Sequence, residues 1–265
     1  MTVDNYAVIG NPVSHSLSPQ IHKMFAKETN QAMSYSTVEA QLNRFVNSAS
    51  EFFENGGAGL NVTVPFKLEA YRWVKNLDRY AQKAGAVNTI KFSDGTLSGY
   101  NTDGIGLVRD LSRMNWEING TRILIVGAGG AAAGIIGPLV DAGGLITLTN
   151  RTLSKADQLA KSNPEVSVYA REATCQDWDI VINATSAGLR GNADIVPEGA
   201  IEGARCYDLI YRLGDRTPFI EWASDKALEV SDGLGMLIEQ AAEAFFLWRS
   251  IRPTTTGLVE TLRYT

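Results

Sequence analysis

The stretch Arg122 to Gly134, RILIVGAGGAAAG, constrains what this chain can fold into more than any other. Arg122 to Val126 is a short apolar run, rich in β-branched residues and closed by glycine, which reads as a buried parallel strand. Gly127, Gly129 and Ala132 follow in G-x-G-x-x-A spacing, and a small, apolar helical run continues to Val140. Strand, tight glycine turn and helix form the setting in which this spacing binds a dinucleotide. Gly127 permits the turn, Gly129 lets a pyrophosphate approach the backbone, and Ala132 lets the helix lie close to the sheet. The helix start also offers free N–H groups and a positive dipole end. Gly127, Ala128, Gly129, Gly130 and Ala131 are therefore the candidate phosphate contacts. An ordinary glycine-rich turn would carry the same glycines, but the flanks on both sides favour the dinucleotide.

The next strand refines this reading. NAD-binding folds place an acidic residue ~20 residues beyond the first glycine to hold the ribose 2′-hydroxyl. Here Leu145 to Thr149 ends in Asn150-Arg151-Thr152, with no carboxylate to repel a phosphate. Arg151 can lie against adenine and pair with a 2′-phosphate, Thr152 can donate a hydroxyl, and Lys155 adds charge one helical turn on. NADP is the expected cofactor. The competing reading is a helix N-cap, Thr152 or Ser154, beside a solvated arginine.

Of the 265 residues, 45% are hydrophobic and 20% charged, which suits a globular chain with room for one large domain or two smaller ones. A formal net charge of −5 argues against a nucleic-acid partner. No apolar run approaches the ~20 residues of a membrane span, and the N-terminus lacks a basic and apolar signal pattern, so a cytoplasmic location is expected. Cys175 and Cys206 lack C-x-x-C spacing, and His15 and His22 are the only histidines. Neither a disulfide scaffold nor a metal site is expected.

Residues 3 to 9 suggest a first strand ended by Gly10. The hydroxyl-rich loop from Gly10 to Ser18 follows, and Ser18-Pro19 reads as an N-cap with proline in the first helical turn. A hydroxyl-rich loop against a helix N-terminus suits a carboxylate. Ser14 and Ser16 show no local capping task. Met33 to Val38 reads as a second strand and Leu42 to Phe53 as a helix. In Leu60 to Lys67, Asn61 and Thr63 share the polar face of an alternating strand, and Pro65 halts it and opens a helix. Lys67 then falls where a strand end meets a new helix. Ala84 to Tyr100 reads as a hairpin turning at Asp94-Gly95 and delivers the chain to Asn101-Thr102-Asp103. Asp103 suits a helix cap as well as a site carboxylate.

From Thr121, strands near 122–126, 145–149, 166–169, 179–183 and 205–209 alternate with helices, which gives a doubly wound, mostly parallel sheet. Ligands lie at the carboxyl ends of such strands, so Thr185 and its neighbours to Gly188 should border the nicotinamide half. Tyr211 ends the pattern Cys206 to Tyr211 at the cleft edge, where a site residue and a loop anchor are equally good readings. Met236 to Ser250 is a long helix with Leu237, Ala241, Ala244, Phe245 and Trp248 on one stripe and Gln240 as the polar exception beside it. The expected architecture is α/β with two domains: an N-terminal α/β substrate domain, 1–102 plus 236–265, and a doubly wound Rossmann domain, 103–235.

Six segments taken in order resemble the shikimate dehydrogenase family almost end to end: Gly10 to Pro19, Asn61 to Lys67, Ala84 to Thr89, Gly99 to Gly104, Asn150 to Thr152, and Asp232 to Leu237. The resemblance implies NADPH-dependent reduction of 3-dehydroshikimate to shikimate on the route to chorismate and the aromatic amino acids. It implies Lys67 and Asp103 as the catalytic pair, and Ser14 and Ser16 as carboxylate-binding hydroxyls. Thr63, Asn88, Tyr211 and Gln240 would hold the ring hydroxyls or line the site, and Leu209 and Gly233 would lie near the nicotinamide. Lys155 stands where many relatives carry a second arginine, and Leu209 replaces a common methionine. A quinate/shikimate dehydrogenase with relaxed substrate or cofactor choice is the nearest alternative, and a non-catalytic NADP-sensing protein is one of a different class. The expected partners are a small-molecule substrate and no nucleic acid or membrane, with a monomer or homodimer as the working unit.

Overall fold

The computed structural model describes residues 3–174, 176–187, 193 and 195–264. Cys175 and Gly188 lie outside them. The chain divides into two units: Met1–Asp103 with Ile238–Thr256, and Gly104–Leu237 with Gly257–Thr265.

The first unit is built on strands β1 (Asp4–Gly10), β2 (Met33–Glu39), β3 (Gly57–Val62), β4 (Asn76–Leu77), β5 (Thr89–Ser93) and β6 (Thr96–Tyr100). They form one sheet in the order β2-β1-β3-β5-β6-β4. β1 is parallel to both β2 and β3, while β5 is antiparallel to β3 and β6. The β5–β6 turn holds Asp94 at φ 51° and Gly95 at φ 75°, the pair of positive values that a two-residue hairpin with right-twisted strands requires.

Helices α1 (Ser18–Glu28), α2 (Phe45–Glu54), α3 (Lys67–Trp73) and α4 (Arg79–Ala84) belong to this unit. Ile9, Leu60, Phe66, Val87 and Ile90 are fully or almost fully buried in its core. Two expectations are corrected here. The helix expected from Leu42 starts at Phe45, where Phe45 first turns inward to stack on Phe66. Ser18 is the first helical residue and not the cap; Leu17 takes the cap position, and Ser16 Oγ accepts the Ser18 N–H at 3.3 Å.

The second unit carries β7 (Arg122–Val126), β8 (Leu145–Thr149), β9 (Ser167–Val168), β10 (Ile180–Asn183), β11 (Arg205–Asp208) and β12 (Glu229–Asp232). Their order is β12-β11-β10-β7-β8-β9, every pairing parallel. Strand order reverses at β7, whose neighbours are β8 and β10, and a ligand binds at the carboxyl edge of such a point. Helices α6 (Gly130–Asp141), α7 (Leu153–Lys161) and α8 (Pro218–Ala223) complete the crossovers. β12 is a strand the periodicity did not reveal, because only four residues of it pair and two of those are polar at one end.

Two helices carry the chain between units: α5 (Asp103–Arg113) and α9 (Leu234–Arg249). In the first unit the Trp248 indole N–H of α9 donates to the Ile90 carbonyl at 3.0 Å, and its ring fills the space that the missing side chain of Gly59 leaves. The last segment departs from expectation. Gly257–Thr265, with helix α10 (Leu258–Arg263), groups with the second unit, because Arg263 pairs through both terminal nitrogens with the buried Asp232 at the end of β12.

Candidate active site

In the first unit, two chain reversals bring polar residues together. After β3, the turn Thr63-Val64-Pro65-Phe66, with a cis Val64–Pro65 bond, delivers Lys67 as the first residue of α3. The hairpin returns the chain to Asn101, whose Oδ1 accepts the Asp103 N–H at 3.1 Å. Lys67 Nζ donates to Asp103 Oδ2 at 2.6 Å. The side chain of Asp103 is 9% exposed and that of Lys67 28%, so the carboxylate is covered while the lysine side chain keeps part of its surface open.

Asp103 is not a plain helix cap, since side chains occupy both of its oxygens: Oδ1 accepts Asn88 Nδ2 at 2.8 Å. Asn88 is buried, and the orientation of its amide is fixed. Its Oδ1 accepts the Thr102 N–H at 2.9 Å and the Thr89 hydroxyl at 3.0 Å, which leaves Nδ2 to serve Asp103 and, at 3.3 Å, Gln240 Oε1 from α9. Behind Thr89, Asn61 Nδ2 donates to Thr89 Oγ1 at 3.0 Å, and Asn61 Oδ1 accepts the Tyr35 hydroxyl at 2.7 Å.

β1 and β3 are neighbours, so the serine loop lies beside the turn that carries Thr63. The Asn11 N–H donates to the Val64 carbonyl at 3.1 Å, and the Thr63 methyl group packs where Gly10 has no side chain. Ser14 is exposed and Ser16 half-buried at this sheet edge. Ser16 has the local task of receiving the Ser18 N–H, and its own hydroxyl proton is left for an acceptor such as a carboxylate. Tyr211 belongs to the other unit, three residues past β11, half-buried, its phenol pushed up by burial.

The second unit holds a cavity of about 460 Å³ at the carboxyl edge of β7 and β8. Gly127, Ala128 and Gly129 form one wall; Asn150, Arg151, Thr152 and Lys155 form another; Thr185 to Ala187 form a third. Gly127 sits at φ 120°, and a side chain there would press on the Ala184 carbonyl, whereas Gly129 and Gly130 face open space. Thr152 stands at the N-cap of α7, yet its hydroxyl makes no capping bond, and Asn150 Nδ2 steadies the turn by donating to the Thr152 carbonyl at 2.8 Å. Among the described residues lining the cavity none is acidic. Backbone N–H groups at a helix start, cations and no carboxylate are a donor set that fits a phosphorylated dinucleotide. Gly130 and Ala131 are exposed in the first turn of α6, outside that lining. Leu209 packs on the core, and Gly233 lies against the Leu209 carbonyl.

The family model described as the shikimate dehydrogenase substrate binding domain matches residues 8–90. The model for shikimate / quinate 5-dehydrogenase matches residues 110–203, and that for the shikimate 5′-dehydrogenase C-terminal domain matches residues 233–261. A shikimate dehydrogenase (NADP(+)) of Cellvibrio japonicus is 46% identical, covering 98% of this chain and 97% of its own. The chain belongs to the shikimate dehydrogenase family. Among solved structures, an Ael1 enzyme from Pseudomonas putida is similar with a TM-score of 0.93 at 39% identity, covering 98% of each chain. The shikimate 5-dehydrogenase of Thermus thermophilus, solved with NADP(H) and shikimate, has a TM-score of 0.89 at 31% identity and 99% coverage of each chain.

Within this shikimate dehydrogenase fold, two groups of residues escaped the sequence reading. Asn61 and Thr89 support Asn88 from behind, and only the pairing of Asn61 with Thr89 across β3 and β5 brings them together. Arg171 also lines the nucleotide cavity; it stands three residues beyond β9 in a segment with no motif of its own.

Proposed function

We propose that this chain catalyses the reversible NADPH-dependent reduction of 3-dehydroshikimate to shikimate, a step toward chorismate and the aromatic amino acids. The observation that carries the reading is the Lys67–Asp103 pair at 2.6 Å, with Asn88 and Gln240 bonded into the same cluster. The chemistry supplied by bound NADPH is a hydride donated to the ketone carbon. The carbonyl oxygen then gathers negative charge and needs a proton. Lys67 presents an ammonium to that oxygen, and Asp103 holds the ammonium in place while accepting a hydrogen bond from the product hydroxyl.

Asn88 and Gln240 hold neighbouring ring hydroxyls, as do Thr63 and Tyr211, and the hydroxyls of Ser14 and Ser16 receive the substrate carboxylate. In the cofactor cavity Arg151, Thr152 and Lys155 take the 2′-phosphate, with Asn150 beside them, and the Gly127 to Ala131 turn the pyrophosphate. Thr185, Leu209 and Gly233 border the nicotinamide half.

The reading includes a cytoplasmic monomer or homodimer, to be checked by cell fractionation and light scattering. Among the described residues no helix is long and apolar enough to cross a membrane. The deciding experiment follows absorbance of the reduced nicotinamide while the protein oxidises shikimate or quinate with NADP or NAD. Turnover with shikimate and NADP far above the other three combinations is expected. Equal rates with quinate or NAD would move the chain to the relaxed quinate/shikimate class, and no turnover would end the reading.

A further inference from the structure

The carboxyl ends of β10, β11 and β12 meet at one buried carboxylate to which the reaction gives no task. Asp208, the last residue of β11, has no exposed surface. Its oxygens accept the Asn183 side-chain amide at 3.0 Å, the Ile210 N–H at 3.1 Å and the Thr217 hydroxyl at 2.6 Å. None of these three donors is charged. Burial pushes the carboxyl up to about 6 and repulsion from Asp232 adds to this, while the bonds from Thr217, Ile210 and Asn183 oppose it. A charge among neutral donors is a costly way to fill a core position.

Each donor leads outward. Asn183 Oδ1 accepts both the N–H and the hydroxyl of Thr185, at 2.9 and 2.8 Å, and Thr185 Oγ1 accepts the Ala187 N–H at 3.1 Å. This turn is one wall of the nucleotide cavity. Ile210 accepts the Gly233 N–H at 3.1 Å, so the Leu209–Ile210 turn and the end of β12 are tied to the same carboxylate. Thr217 is the N-cap of α8, its side chain accepting the Ile220 N–H.

We propose that Asp208 is a positioning residue for the nicotinamide half of the cofactor, setting the Thr185–Ala187 turn through Asn183 and the Leu209–Ile210 turn directly. The inference rests on the reading of the cavity as the NADP site. The purified full-length protein, without substrate, is titrated with NADPH and with 2′,5′-ADP, which lacks the nicotinamide half. Asp208→Ala weakens NADPH binding by about tenfold and leaves 2′,5′-ADP within about twofold, as expected for lost hydrogen bonds at one end of the site. Asp208→Asn, whose oxygen still accepts from Asn183 and Ile210, binds NADPH within about threefold of the unaltered protein. If Asp208→Ala does not fold, Asn183→Ala cuts the link to Thr185 with the carboxylate in place and carries the same expectation. Unchanged NADPH affinity, equal weakening of both ligands, or no recovery in Asp208→Asn overturns the proposal. Failure of the unaltered protein to bind 2′,5′-ADP would show the NADP reading itself to be wrong and would remove the basis of the inference.

Discussion

Lys67 Nζ is held by a carboxylate whose other oxygen is already committed to Asn88, so the ammonium has a fixed origin from which to meet a ligand oxygen. Lys67→Ala is expected to lower kcat by about a thousandfold with little change in KM, because the group acts on charge that appears only in the transition state. Steady-state kinetics with shikimate checks this, and near-normal turnover would remove Lys67 from the chemistry. Thr89→Val keeps the shape but takes one donor from the Asn88 amide. A rise in KM of several fold, about 1 kcal/mol of binding, is expected with kcat less affected. Lys67 and Asp103 could be named beforehand only through the family resemblance, since by position alone each suits an ordinary helix start. Asn61 and Thr89 could not. Their roles come from strand register, which brings residues 28 apart within hydrogen-bond reach.

At the level of elements, glycine at the start of α9 has a steric cause. A side chain on Gly235 would run into the carboxylate of Asp110, which is itself fixed by the Tyr207 hydroxyl at 2.6 Å and by Arg113 at 2.8 Å. Gly235→Ala is expected to cost about 1–3 kcal/mol in urea unfolding, the range for overpacking a well-filled site. The parallel sheet of the second unit was legible from its apolar strands, β9 included, but its short edge strand β12 was not, since only four residues of it pair. Placement of the last helix was not legible at all. Nothing in Leu258 to Arg263 announces that Arg263 reaches Asp232. Arg263→Ala leaves that carboxylate, 5% exposed, without its cation, and a loss of about 2 kcal/mol or more is expected in the same unfolding assay.

Two buried groups give the whole molecule opposing responses to acid. Burial lowers the His22 imidazole to about 3, from an ordinary value of 6.5. Between those limits the unfolded chain binds the extra proton, so stability from His22 is lost as pH falls. Asp208 is raised from 3.8 to about 6, so the folded chain binds the extra proton and stability from it is lost as pH rises. From about pH 6 down to about pH 4 the two slopes oppose one another. Relative to the unaltered protein, His22→Phe should therefore gain up to about 1.4 kcal/mol per pH unit near pH 5 as pH falls, and Asp208→Asn should lose up to about as much. Denaturant titrations at three pH values test this; parallel curves for all three proteins would contradict it.

The first unit is assembled from two separated stretches of the chain, Met1–Asp103 and Ile238–Thr256. Trp248, which closes the sheet over Gly59, is made after every strand it covers. A nascent polypeptide leaving the ribosome must therefore carry an uncovered sheet through the synthesis of most of the nucleotide unit, and the codons from Trp248 to Arg263 then supply the ring that closes it and the cation that pairs with Asp232. A premature stop shortly before Trp248 would leave neither half sealed.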